Sequence, residues 1–180
     1  MPQATMVCTI GHSTRPFDAF LALLQAHGIE AIADVRRFPG SRRYPWFAGE
    51  ALAGQLSAHG VTYTWLPQLG GRRKVQPGSP NGGWRNPSFQ GYADHLSTAE
   101  FADGLARLLV LAARQRTAMM CAEAMWWQCH RALISDVLKV RGIEVLHIAD
   151  ARPGTPHPYS SAARVEDGRL SYAPAQAGLF

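Results

Sequence analysis

Apolar and polar positions along the chain switch repeatedly between two periods. Short β-branched or continuous apolar runs predict strands, and spacings of three and four predict helices. TMVCTI, ending at Gly11, predicts a first strand, and a helix follows from about Pro16 to His27 with Phe17, Phe20, Leu21 and Leu24 on one face. Ser13 or Thr14 suits the cap of that helix, Pro16 its first turn and Gly28 its stop. IEAIADV predicts a second strand, residues 48–59 a short helix, and VTYTWLP a third strand. From Gln68 to Tyr92 the chain is rich in Gly, Pro and Arg with little periodicity, which predicts a long functional or mobile loop. Helical period returns over 99–115, then TAMMCAE predicts a fourth strand, CHRALISDVLKVR a helix closed by Gly142, and IEVLHIAD a fifth strand.

Strands alternating with helices predict a single-domain, three-layer, Rossmann-like α/β fold: a mainly parallel sheet of about five strands with helices on both faces. Residues 1–150 form this domain in the expected organisation, and 151–180, rich in Pro, Ser and Ala, form a loosely packed C-terminal extension. A length of 180 residues at 47% hydrophobic composition suits one core. No uncharged apolar run is long enough to span a bilayer and the start lacks a signal-peptide pattern, so the expectation is no membrane and a cytoplasmic location. Cys8, Cys121 and Cys129 lack disulfide-framework spacing and are expected as thiols.

Charge changes the picture more. The net charge is +5, yet the segment from Arg36 to Arg85 carries eight basic residues (Arg36, Arg37, Arg42, Arg43, Arg72, Arg73, Lys74, Arg85) against one acid, Glu50. Such a bias attracts phosphates, although a solvated basic face has the same composition. Tyr44, Trp46, Trp84, Trp126 and Trp127 punctuate the basic region and the thiol loop, either as a base-stacking surface or as loop anchors tucked into the core.

Ligands of open parallel sheets bind outside the carboxyl ends of the strands. The polar residues expected there are Gly11, His12, Ser13, Thr14 and Arg15; Asp34, Arg36 and Arg37; Gln68 to Arg73; Cys121 to Glu123; Cys129, His130 and Arg131; and Asp150. Cys129 falls at the expected start of a helix, where unpaired N–H groups favour a thiolate, and His130 and Arg131 adjoin it. The alternative is a small buried hydrophobe, the common state of a free cysteine. His130 is a base or partner for the thiol, or else a core histidine, and Arg131 is an oxyanion clamp or an ordinary ion-pair donor. Glu123 suits a general acid or base, or a surface role. Gly11-His12-Ser13-Thr14 suits an anion-holding turn with free N–H groups, although neither GxxxxGK[ST] nor GxGxxG occurs. Cys8 and Cys121 alternate with apolar neighbours and are expected to be packing. His12, Cys121, Cys129 and His130 are available zinc ligands, but no close CxxC or HExxH pair supports a metal, and no cofactor signature is present.

The motifs GHS, DVR, LGG, F-x-G-Y, CAE, CHR and HI occur in order across about residues 7–150. This run resembles the family called domain of unknown function 488, which implies a compact α/β domain without an established activity. Carried over from that resemblance, the recurrent polar positions are Gly11, His12, Ser13, Asp34, Arg36, Arg42, Gly70, Gly71, Glu123, Cys129, His130 and Arg131. The connection Ala124 to Gln128, with Met125, Trp126 and Trp127, is bulkier than is usual in the family. A weaker similarity is to rhodanese-like domains, but their thiol loop of about five residues is missing here, which disfavours sulfur transfer and cysteine-phosphatase chemistry.

The leading expectation is an enzyme acting on a phosphate-bearing substrate, a nucleotide or nucleic acid. Its expected catalytic residues are Glu123, Cys129, His130 and Arg131, and its expected ligand-binding residues are Gly11, His12, Ser13, Asp34, Arg36, Arg42, Gly70 and Gly71, with neither cofactor nor metal. The alternative is a non-catalytic nucleic-acid-binding module built on the basic 36–85 segment. An interaction domain for another protein is a third reading.

Overall fold

The computed structural model describes residues 6–175. Strands β1 (Met6–Gly11), β2 (Ala31–Asp34), β3 (Thr62–Trp65), β4 (Thr117–Cys121) and β5 (Glu144–Ile148) pair in parallel, and β6 (Thr155–Pro156) adds antiparallel to β5. The order across the sheet is β3-β2-β4-β1-β5-β6. Helices cover both faces, as in a Rossmann-like fold. Helices α1 (Phe17–Ala26) and α2 (Gly49–Ala58) bury Phe20, Leu24, Leu52 and Leu56 against Cys8, Ile10, Ala118 and Met120. On the other face, α3 (Pro87–His95), α4 (Ala99–Arg114) and α5 (Arg131–Val140) bury Tyr92, Leu105, Leu108, Leu133 and Leu138 against Val7, Met119, Cys121 and Val145. The alternation along β4, with Ala118 and Met120 on one face and Met119 and Cys121 on the other, is the period-two pleat of a strand buried on both sides.

The chain leaves β1 through α1 on one face and leaves β4 through α5 on the other. Because β1 and β4 are neighbours, their carboxyl ends open into a crevice at the switch point, and Gly11 and Cys121 stand in register at its floor.

Three expectations are corrected. The 68–92 segment is not a mobile loop: Asp94 on α3 ties it down by accepting from the Ser79 hydroxyl (2.6 Å), the Asn81 amide (2.7 Å) and the Gln76 backbone N–H (2.8 Å). Its last part is helix α3 itself, capped by the Asn86 side chain with Pro87 in the first turn, an N-terminal signal outweighed in the sequence by Gly91 and weak periodicity. Helix α1 has no side-chain cap; Pro16 stands at its cap position, so neither Ser13 nor Thr14 serves it.

The third correction concerns residues 151–175, which pack closely rather than loosely. This segment supplies β6 and a hairpin, β7 (Arg164–Glu166) and β8 (Arg169–Ser171). It then buries His157 and Tyr172 against α5. Asp136 on α5 is the anchor: it accepts from His157 Nε2 (2.7 Å), the Ser160 N–H (2.9 Å) and the Tyr172 hydroxyl (2.6 Å). A fully buried carboxylate needs these donors, since burial without them is costly. Tyr172→Phe removes one donor at constant packing, and a loss of about 1–3 kcal/mol in urea unfolding is expected; unchanged stability would show that the segment is not docked through Asp136.

Candidate functional site

The crevice at the ends of β1 and β4 is an open cavity of about 730 Å³. Its walls include His12, Ser13, Arg36, Arg37, Phe38, Arg43, Arg72, Glu123, Cys129 and His130. Ser13 (φ 52°) and Arg72 (φ 59°), two non-glycine residues in the left-handed region, both face this cavity. Strain of this kind concentrates at functional sites.

Helix α5 begins at Arg131, two residues later than the sequence indicates, with His130 at its cap position and Cys129 immediately before it. The Cys129 sulfur accepts from the Arg131 backbone N–H (3.3 Å) and from Arg131 Nε (3.2 Å), and lies 3.1 Å from the Cys121 sulfur. All three cysteines are free. Burial pushes the Cys129 thiol up, but the Cys121 S–H and the Arg131 charge outweigh it and hold the group well below the ordinary thiol value. Cys121 moves the opposite way, well above that value, through burial and the neighbouring sulfur. One sulfur is thus the anion and the other its S–H donor.

An independent constraint gives the same assignment. Arg131 is 1% exposed, and among the described residues no carboxylate forms an ion pair with it. A buried guanidinium without a counter-ion is strongly unfavourable. The Cys129 thiolate supplies the missing charge.

The rest of the Arg131 guanidinium is also occupied. NH2 donates to the Glu123 and Ala124 carbonyls (2.6 and 3.3 Å) and NH1 to the Thr9 hydroxyl (3.1 Å). Thr9 is 2.6 Å from His147 Nδ1, His147 Nε2 is 2.8 Å from His157 Nδ1, and His157 reaches Asp136. These contacts form one continuous buried chain from Arg131 through Thr9, His147 and His157 to Asp136. Trp126 stacks on His147, with ring centroids 4.5 Å apart and planes 5° apart, and pins the thiol loop to this buried chain.

The expected site residues fall into three groups. Cys129, His130, Glu123, His12, Ser13 and Arg36 line the cavity. Arg36 holds Asp34 in a two-pronged pair (Nε to Oδ1 2.9 Å, NH2 to Oδ2 2.7 Å) and leaves NH1 3.4 Å from His12 Nε2, so Asp34 orients Arg36 rather than meeting a ligand. Gly11, Gly70 and Gly71 permit close backbone approach. A Cβ at Gly11 would lie 1.7 Å from the Glu123 carbonyl oxygen, one at Gly70 2.5 Å from the Arg37 Cα, and one at Gly71 3.0 Å from His130 Nδ1.

Two residues stand elsewhere than expected. Arg131 is no oxyanion clamp, because it is buried beneath the cavity floor and spends its donors on the protein. Arg42 is exposed and does not line the cavity, whereas its neighbour Arg43 does. Two N–H groups of the turn after β1 are not free as expected: those of His12 and Ser13 donate to the Cys121 and Ala122 carbonyls (2.9 and 3.0 Å), extending the β1–β4 ladder.

Both histidines of the wall are neutral. His130 Nε2 donates to the Val35 carbonyl (2.7 Å), and burial lowers its pKa, leaving Nδ1 as the acceptor beside Gly71. The ring is spent on the residue that follows β2 rather than on the Cys129 sulfur. His12 Nδ1 donates to the Ser13 carbonyl (2.8 Å), and burial together with the Arg36 charge lowers its pKa to about 4.

Sequence reasoning missed several residues. Cys121 reads as packing, yet its sulfur is the donor to Cys129. Thr9 and His147 lie in apolar runs at registered positions of β1 and β5 and share one face, a pairing that the two-residue period could have revealed. Phe38 and Arg43 are not among the expected strand-end residues, and folding brings them to the rim beside Arg37 and Arg72, which are: Phe38 is 64% exposed, with the Arg37 and Arg72 guanidinium carbons 5.5 and 5.9 Å from its ring centroid. Arg73, by contrast, pairs with Glu100 (3.1 Å). Trp84 and Trp126 are anchors, packed on Tyr172 and His147.

A family model described as domain of unknown function DUF488 matches residues 16–138. The chain belongs to the DUF488 family. No curated protein and no solved structure matches it. Cys129, His130 and Arg131 of the DUF488 segment lie inside the matched residues, whereas His147, His157 and Tyr172 lie beyond them. Among the described residues no group of three or more His, Cys, Asp or Glu is placed to hold a metal ion, and no helix is long and apolar enough to cross a membrane.

His147, like His12, is depressed by burial, to about 3. The unfolded chain takes up protons on both imidazoles below about 6.5 while the folded chain does not until about 4 and about 3. The unfolded state therefore binds more protons in this window. The associated stability is fully present above it and falls with pH by at most about 1.4 kcal/mol per unit per histidine. Urea unfolding from neutral pH downward should show this decline, and His147→Gln should make it shallower; identical slopes would contradict a neutral buried His147.

Proposed function

We propose that this DUF488 domain is an enzyme that acts on a phosphate-bearing substrate, a nucleotide or nucleic acid, with Cys129 as nucleophile. The observation that carries the reading is the meeting, in one cavity, of a cysteine sulfur held as an anion by Arg131 and a rim of arginines, Arg37, Arg43 and Arg72, that pair with no carboxylate among the described residues. The rim arginines attract and orient the phosphate, and Arg36, already neutralised by Asp34, offers its remaining NH1 donor. Phe38 between two guanidinium groups supports a nucleobase, since exposed aromatics flanked by arginine stack on bases. The thiolate attacks the reacting centre, so that the bond to sulfur forms as the bond to the leaving group breaks, and water then releases the covalent intermediate and restores the thiolate. Glu123, which lines the cavity, hands a proton to the leaving group and takes one from that water.

The competing reading, a nucleic-acid-binding module, rests on the same arginines and Phe38 but gives the thiolate no task. The two separate cleanly by experiment. Against a panel of nucleotides and short oligonucleotides, Cys129→Ser should lower turnover at least about a thousandfold while leaving binding intact. Arg43→Ala and Arg72→Ala should each weaken binding about 10- to 100-fold, as for a lost charge-assisted hydrogen bond. Full turnover in Cys129→Ser would overturn the nucleophile, and salt-sensitive binding without turnover of any panel member would favour the binding module.

A further inference from the structure

The sequence reads Cys121 foremost as packing, and the proposed function uses it only as a hydrogen-bond donor to Cys129. Its placement permits more. The two sulfurs stand 3.1 Å apart, both reduced, and both line the same solvent-open cavity. Cys121 ends the central strand β4, and Cys129 closes the connection that follows it, whose residues Ala122 to Met125 are exposed. The separation exceeds a disulfide bond by only about 1 Å. Cys8 belongs to the core on the opposite face of the sheet and faces neither sulfur.

We infer that Cys121 and Cys129 form a peroxide-reactive dithiol, in which Cys129 is the sulfur oxidised by a hydroperoxide and Cys121 is the sulfur that resolves it. The chemistry balances in two steps. The Cys129 thiolate attacks one oxygen of hydrogen peroxide; an S–O bond forms, the O–O bond breaks, and hydroxide leaves and is protonated by solvent to water. The Cys121 sulfur then attacks the Cys129 sulfenic sulfur; the S–S bond forms, the S–O bond breaks, and the departing hydroxyl takes the Cys121 proton as a second water. The two sulfurs lose two electrons together and the peroxide gains them.

The geometry suits each role. Cys129 is 7% exposed and opens on the cavity, so a molecule as small as peroxide can reach it, while Cys121 is 2% exposed and is reached through its partner. Hydrogen bonds from Arg131 favour the attacking thiolate, and the S–H of Cys121, already aimed at Cys129, places the second step within contact distance. Oxidation removes the anion that Arg131 neutralises, so the disulfide form lacks the nucleophile of the proposed enzyme. The inference does not rest on the proposed function, because the dithiol is read by mass and not by turnover.

The test treats the full reduced chain with stoichiometric hydrogen peroxide in metal-free buffer, alkylates the remaining thiols and maps the peptides by mass spectrometry. The expected result is one Cys121–Cys129 disulfide that dithiothreitol reverses, with Cys8 still alkylated. Cys121→Ser should stop at a Cys129 sulfenic acid captured by dimedone, and Cys129→Ser should form no disulfide. Circular dichroism of both variants establishes that they fold. Alkylation of all three cysteines after peroxide, oxidation of Cys129 beyond the sulfenic acid in the wild type, or equal reaction of Cys8 would each overturn the dithiol. A reversible disulfide together with no turnover of any phosphate-bearing substrate would sustain this inference while the proposed function fails.

Discussion

The contact between the Arg131 guanidinium and the Cys129 sulfur is the constraint around which the site is arranged. Arginine is rarely buried without a partner, and here the partner is a sulfur rather than a carboxylate. The contact ties three levels together. It anchors the start of α5, holds the Glu123 and Ala124 carbonyls of the loop after β4, and reaches through Thr9 into the buried chain that ends at Asp136. Packing on one face of the sheet and the chemistry of its carboxyl edge therefore meet in one side chain.

That arrangement separates supporting residues from those that meet a ligand. Arg131, Asp34, Gly11 and Gly70 lie under or behind the cavity and fix its shape. Cys129, Glu123, His12 and the arginines at positions 36, 37, 43 and 72 face it. Neutral His12 and His130, the Asp34–Arg36 pair and a charge-balanced Cys129–Arg131 pair leave the free rim arginines as the dominant local field. Anions are drawn to the mouth, and the sulfur waits at the floor.

Much of the architecture could be read from the chain because strands and helices advertise themselves by period. The five parallel strands, the helices of both layers and the gathering of GHS, DVR and CHR at one edge all follow from apolar spacing and the strand-end rule. What escaped reading depends on contacts distant in sequence. The segment after Asp150 looks extended because its burial rests on three polar donors to one carboxylate, Asp136, which has no periodic signature. Helix α3 was hidden by Gly91. Arg131 looked like a ligand clamp because a sequence shows an arginine beside a cysteine but not which of them is buried. The choice between Arg42 and Arg43 was likewise one of side-chain direction, which an irregular segment does not encode.

The central claim is that Cys129 is a thiolate in the folded protein because Arg131 and Cys121 hold it so. The most direct measurement is the rate of iodoacetamide alkylation at Cys129 against pH, resolved from Cys8 and Cys121 by mass spectrometry, in the wild type and in Cys121→Ala. The account predicts a wild-type rate already on its plateau at neutral pH, with the transition displaced upward when the Cys121 donor is removed. A Cys129 rate that instead rises about tenfold per pH unit until about 8.5, as for an ordinary thiol, and is the same in both proteins, would contradict it.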